Sequence, residues 1–242
     1  MMANTGLYST VSSTLSGANV DPSTPLSKLP NKVLAVTMKI SDTSNDPWGP
    51  LALTNLPGSE CADIAVIDAA MCTSAAPIYF PPYAVPPAPA TPTMWCADGG
   101  LVANNPSSFT LGNVLKSNVV QDLSKVRMLS IGTGVTIDYV PSLFLNGSEN
   151  DWGMLMWLNP LPVPHQPKFP VLGAMFDGQS QIADIEVANI LGQQYVRANP
   201  TLPQTIDLAD CSQIGTLQTV AQDYITTDEW KSAKSWAYEN FV

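Results

Sequence analysis

The sequence predicts a mixed α/β fold with a mostly parallel central sheet. Three observations carry this. Short, nearly continuous apolar runs occur at 33–40 (VLAVTMKI), 94–97 (MWCA) and 126–131 (VRMLSI). Runs of this kind read as buried strands. Longer segments with helical periodicity and helix punctuation alternate with them, which places helices on the sheet faces. Hydrophobic residues make up 45% of the 242, enough for a full core, so disorder throughout is excluded. Three strands are few for a central sheet, so the chain is expected to be part of a larger fold.

Each element has its own signal. Residues 1–30 are rich in Ser, Thr, Asn and Gly and read as irregular, with a short helix around 7–15. Pro30 and the SDTSNDP loop bound the first strand. Ser59 can cap a helix through Ser74 with Ile64, Ile67 and Met71 on one face, stopped by Pro77. Residues 81–93 hold six prolines and read as a loop. Asn105-Pro106 is a helix start, with Asn as cap and Pro at the first helical position. Residues 177–199 predict one long helix with the face Ile182, Ile185, Ala188, Leu191 and Tyr195. Residues 213–225 and 227–241 predict two more, the second opened by the capping box Thr226-x-x-Glu229. No linker or repeat divides the chain, so 1–242 reads as one domain.

Charge excludes some functions. Ten Lys+Arg against twenty Asp+Glu leave −10, so the basic footprint of a nucleic-acid binder is absent. No polybasic cluster exists to hold an anionic membrane. No apolar run reaches the ~18 residues of a spanning helix. No Lys or Arg precedes Lys28, and no compact apolar stretch follows Met1, so no secretory signal is read. A cytoplasmic or membrane-peripheral location is favoured. Cys61, Cys72, Cys96 and Cys211 lack metal-ligand spacing and read as free thiols, mostly buried. One histidine cannot make a His-rich metal site.

The chemistry concentrates at Asp98-Gly99-Gly100. It follows a strand, where an open α/β sheet presents its ligand-facing edge. The glycines permit positive φ or close approach of another backbone or a substrate. Taken alone, the triplet reads more readily as an Asp-Gly turn that only reverses the chain. Its surroundings add information. TSAAPIYFPP stands at 73–82, DGGLVANNP at 98–106, SIGTG at 130–134, FDGQSQ at 176–181 and YVRANPTLP at 195–203. In this order and spacing the chain resembles the patatin-like phospholipases, over about 33–210.

The resemblance implies a three-layer α/β/α fold and lipid acyl-ester hydrolysis by a Ser–Asp dyad. It implies no metal or organic cofactor. Asp98 matches the family's dyad aspartate, the general base, with Gly99 and Gly100 as its motif turn. The implied substrate is a lipid or acyl ester, met at a membrane surface. Partner proteins and self-association are left open. No serine of the chain stands in a G-x-S-x-G elbow, and no Gly-rich oxyanion loop precedes one. The expectation is that both lie upstream of Met1 and that the N-terminal part of the fold is missing. Without a nucleophile the chain by itself is expected to be inactive. Each lost oxyanion donor removes roughly 3–4 kcal/mol more. The alternative is a non-catalytic remnant that binds lipid or a protein partner.

His165 lies in a proline-rich stretch and reads as a loop or wall residue. Gly132-Thr133-Gly134 lacks the lysine and spacing of a phosphate loop and reads as a tight turn. Trp152, Met154, Leu155, Met156, Trp157 and Leu158 read as lining for an acyl pocket or a lipid contact; packing against the sheet is the competing account.

Overall fold

The computed structural model describes residues 4–40, 46–85, 94–139, 153–161 and 168–241. The chain forms two compact units, Met1–Leu123 and Ser124–Val242. Both mix helices with strands, so the α/β class holds. The sheet is parallel only in the second unit.

The first unit opens with α1 (Asn4–Gly17), longer than the sequence suggests and without a buried residue. Strand β1 (Leu34–Ile40) pairs antiparallel with β2 (Gly49–Thr54), in register from Leu34 opposite Thr54 to Lys39 opposite Gly49. Helix α2 (Val66–Thr73) follows, then β3 (Tyr83–Val85) and β4 (Met94–Ala97). The sheet order is β2-β1-β4-β3, and each pairing is antiparallel. The expected parallel arrangement is thus overturned in this unit. Strands β2 and β3 escaped the sequence reading because Pro50 and the prolines around Tyr83 look like loop signals. Both are edge strands, where a missing N–H is tolerated. Helices α3 (Gly100–Ala103) and α4 (Ser107–Lys116) complete the unit.

Helix α2 is shorter than predicted. Ser59 Oγ accepts from Cys61 N at 3.1 Å and so caps a turn, not the helix. Ile67, Ala69, Met71 and Cys72 are buried from α2. Leu26, Leu53, Ala69, Cys72 and Cys96 form one core cluster. Buried Asn55 staples the incoming chain to it. Its Nδ2 donates to Leu26 O and Asn31 O, and its Oδ1 accepts from Val33 N. The four cysteines are free thiols; Cys72 and Cys96 are buried, Cys61 is half-buried and Cys211 is exposed.

In the second unit β5 (Met128–Ile131) pairs parallel with β6 (Tyr195–Ala198). Between them lie α5 (Met154–Trp157) and α6 (Pro170–Leu191). The predicted helix over 177–199 ends early. Gly192 takes φ +54 and turns the chain, and YVRA then finds a strand partner in MLSI. The buried face of α6 is Ala183, Val187 and Leu191, while Ile182 and Ile185 are exposed. Of the face read from periodicity, Leu191 and Tyr195 are buried, while Ala183 and Val187 take the places expected for Ile182 and Ile185, because the neighbouring stripe is apolar too. Helices α7 (Ile214–Tyr224) and α8 (Asp228–Phe241) match their predicted positions. The α8 cap shifts by one residue: Thr227 Oγ1 accepts from Trp230 N, while Glu229 accepts from the Tyr224 hydroxyl. No helix among the described residues is long and apolar enough to cross a membrane.

Candidate active site

Asp98 is the first residue after β4, and β4 runs antiparallel to β1. Two backbone bonds tie its turn to the end of α2. Asp98 N donates to Ala75 O at 3.0 Å, and Gly99 N donates to Thr73 O at 3.2 Å. The small residues of TSAAP let these backbones meet. Gly99 has φ −65, so positive φ is not why glycine stands there. Close approach is the reason. A β-carbon on Gly99 would stand 2.1 Å from the Val36 carbonyl oxygen.

The Asp98 carboxylate is half-buried, and its Oδ1 accepts from Gly100 N at 2.6 Å. Among the described residues no other donor bonds this carboxylate. One oxygen is therefore pinned and the other left available. Burial raises the Asp98 pKa, and the Gly100 N–H opposes that rise. A held, partly desolvated carboxylate with a spare oxygen is suited to accept a proton from a hydroxyl placed beside it.

The segment after the turn is anchored as well. Asn105, buried, accepts through Oδ1 from Ser107 N at 3.2 Å and from Ser107 Oγ at 2.6 Å. The helix starts one residue later than expected, with Pro106 instead of Asn105 at the N-cap and no side-chain cap; Asn105 holds the turn that leads into it. Helix α3 is a single turn closed by Ala103 N donating to Gly99 O at 2.8 Å.

Sequence reasoning missed Thr37 and Thr73. Thr37 Oγ1 lies 2.7 Å from Ala97 O, and Thr73 Oγ1 donates to Val36 O at 2.6 Å. For Thr37 the signal was present: a hydroxyl inside an otherwise apolar strand must find an acceptor.

Trp152 and His165 lie outside the described residues. Trp157 is in the second unit, on α5. With Met154, Leu158, Val171, Ala174 and Met175 it lines an apolar groove of about 530 Å³. Gly132-Thr133-Gly134 is a structural turn. Gly134 N donates to Asn199 Oδ1 at 2.9 Å, and a β-carbon on Gly132 would collide with that same oxygen. Among the described residues no cluster of His, Cys, Asp or Glu is arranged to hold a metal ion.

Residues 7–109 match the family model of the patatin-like phospholipases. Over this segment the chain is similar to that family. That segment contains β1 through β4, the TSAAP string and the Asp98 turn. Over 99 residues the chain is 40% identical to a cGAMP-activated phospholipase of Vibrio cholerae, covering 38% of this chain and 26% of that protein. It is also 26% identical over 191 residues to CotR of Bacillus subtilis, described as a candidate sporulation hydrolase. That match covers 72% of this chain and 55% of CotR. Protein teg of Priestia megaterium is 25% identical over 171 residues, covering 64% and 49% respectively. The chain thus spans about half the length of CotR and teg, and less of the phospholipase. At 72% of the chain, the likeness to CotR reaches beyond the patatin-like segment into the second unit.

Proposed function

We propose that the chain supplies the aspartate of a Ser–Asp dyad that hydrolyses lipid acyl esters. The observation that carries this is the Asp98 carboxylate, pinned by Gly100 N–H through Oδ1 and bonded by no other donor among the described residues. The family match and the cGAMP-activated phospholipase of Vibrio cholerae support it. Asp98 takes the proton of a serine hydroxyl as that oxygen attacks the ester carbonyl. The protonated Asp98 then gives a proton to the departing alcohol, leaving an acyl-enzyme. Water then attacks the acyl carbonyl as Asp98 takes its proton, and Asp98 gives that proton to the serine oxygen as the fatty acid leaves. The serine belongs to a G-x-S-x-G elbow that none of the 242 residues provides, so this chain by itself is inactive. The reaction uses no metal or organic cofactor. The substrate is a phospholipid or neutral glycerolipid, approached at a membrane surface, and Trp157 in its apolar groove is a lipid contact.

The test is a short-chain nitrophenyl-ester assay on four proteins. They are the 242-residue chain and a longer reading frame that adds G-x-S-x-G, each with and without Asp98→Asn. Activity only in the longer protein, reduced by orders of magnitude by Asp98→Asn, is expected. A fully active Asp98→Asn variant of the longer protein defeats the dyad. The absence of G-x-S-x-G favours a second reading, a non-catalytic remnant that binds lipid or a protein partner. A stop codon and an independent promoter directly upstream of the Met1 codon would support it.

A further inference from the structure

One threonine hydroxyl reaches the carbonyl just before Asp98, and a second reaches the β1 carbonyl against which Gly99 closes. Thr37, on β1, is fully buried. A buried hydroxyl without a partner costs roughly 1–3 kcal/mol, so its acceptors matter. Thr37 Oγ1 lies 2.7 Å from Ala97 O and 3.1 Å from Cys72 O. Ala97 directly precedes Asp98, and Cys72 is in the last turn of α2. Thr73, the next residue on α2, sends its own hydroxyl back to β1, to Val36 O at 2.6 Å. That same Val36 carbonyl is the one over which Gly99 closes. The exchange is reciprocal: β1 gives a hydroxyl to α2 and β4, and α2 returns one to β1. The backbone bonds from Asp98 N to Ala75 O and from Gly99 N to Thr73 O complete the ring.

We propose that Thr37 and Thr73 are positioning residues for Asp98. Thr37 holds the carbonyl that precedes the turn, and Thr73 holds the β1 carbonyl against which Gly99 closes, so that Gly100 N–H keeps Oδ1 and the second carboxylate oxygen keeps one direction. Neither hydroxyl bonds the carboxylate; each acts through a backbone carbonyl. The role as positioning residues for a base rests on the reading of Asp98 above. The geometry of the clasp does not.

Valine keeps the shape and β-branching of threonine and removes the hydroxyl. Serine keeps the hydroxyl and removes the methyl group. The experiment uses the 15N-labelled 242-residue chain and follows the Gly100 amide by NMR as pH is varied. This amide donates to the Asp98 carboxylate, so its shift reports protonation of that group; Asp98→Asn abolishes the titration and identifies the signal. The expected result is full amplitude in the unmodified chain, Thr37→Ser and Thr73→Ser. Thr37→Val and Thr73→Val should show half that amplitude or less. Thermal midpoints, measured in parallel, report stability separately. Valine variants that titrate Gly100 with unchanged amplitude and midpoint, however far Tm falls, overturn the proposal. Serine variants that lose the amplitude as valine does overturn it too. Should Thr37→Val fail to fold, Thr73→Val carries the test, since Thr73 is only half-buried. The titration needs neither a serine nucleophile nor a substrate. Failure of the dyad in the esterase assay therefore leaves this result standing, and failure here leaves the dyad standing.

Discussion

Gly99 closes over the carbonyl of Val36 with no room between them for a side chain. A β-carbon there would stand 2.1 Å from the oxygen and 2.8 Å from the carbonyl carbon. Both atoms are backbone in the central part of the sheet, so neither can swing aside. Gly99→Ala should therefore cost about 3 kcal/mol, the upper end for overpacking. Urea unfolding checks this. A loss under about 0.5 kcal/mol would mean that β1 and β4 separate more easily than their pairing implies.

Asp98 has a pH signature with a definite sign. Burial raises its folded-state pKa above the unfolded value. The native state then holds the proton more tightly, so the favourable contribution of the neutral acid is complete below the unfolded pKa. It is lost as pH rises through the folded value. Asp98→Asn keeps the acceptor for Gly100 N and removes the ionisation. The variant should gain stability relative to the unmodified chain as pH rises through that window, and the difference should be flat above it. Urea midpoints across the acid range are the measurement. A relative gain by the unmodified chain over the same range would reverse the assigned shift.

Asn105 secures the segment after the turn. Its side chain is buried and accepts from both Ser107 N and Ser107 Oγ. Asn105→Ala should cost about 1–3 kcal/mol, as loss of the acceptor for buried donors does. The thermal midpoint reads it, and a midpoint unchanged within error would remove this turn from the account.

The two apolar stripes of α6 make opposite predictions. Val187 is fully buried, so Val187→Ala should cost about 1.5–3 kcal/mol. Ile185 is 60% exposed, and Ile185→Ala should stay within about 0.5 kcal/mol. Chemical denaturation of the pair decides between the stripes. A larger loss from Ile185→Ala would restore the face read from periodicity.

The α5 end of the groove exposes apolar area, with Met154 at 71% and Leu155 at 82%. Exposed apolar patches bind hydrophobic dyes and favour association. Replacing both by Glu should lower dye fluorescence at least twofold with Tm nearly unchanged. Equal fluorescence would place the dye site elsewhere.

Residue order by itself determined several things about this protein. VLAVTMKI, MWCA and MLSI are strands in any reading, because short apolar runs without helical spacing have few other uses. The DGG triplet marked its position because the TSAAP, NNP and SIGTG strings flank it in a family-specific order. The α/β class followed from alternation.

Other features depended on long-range contacts. Strand direction is one: a run such as MWCA carries no sign of whether its neighbour runs with it or against it. Only pairing in space made the first sheet antiparallel and the second parallel. YVRA at 195–198 is another. It continues a helical pattern locally, and it became a strand because Gly192 broke the helix and MLSI offered partners for its backbone. The same holds for α6, where two apolar stripes compete and packing alone chooses Val187 over Ile185. It holds most for Asp98. The sequence names the aspartate and its glycines, but the reason Gly99 must be glycine is the Val36 carbonyl, 63 residues earlier in the chain. The Thr37 and Thr73 hydroxyls reach that turn only because the sheet and α2 fold together. Local patterns carry backbone preference and burial tendency; which groups meet is settled by tertiary packing.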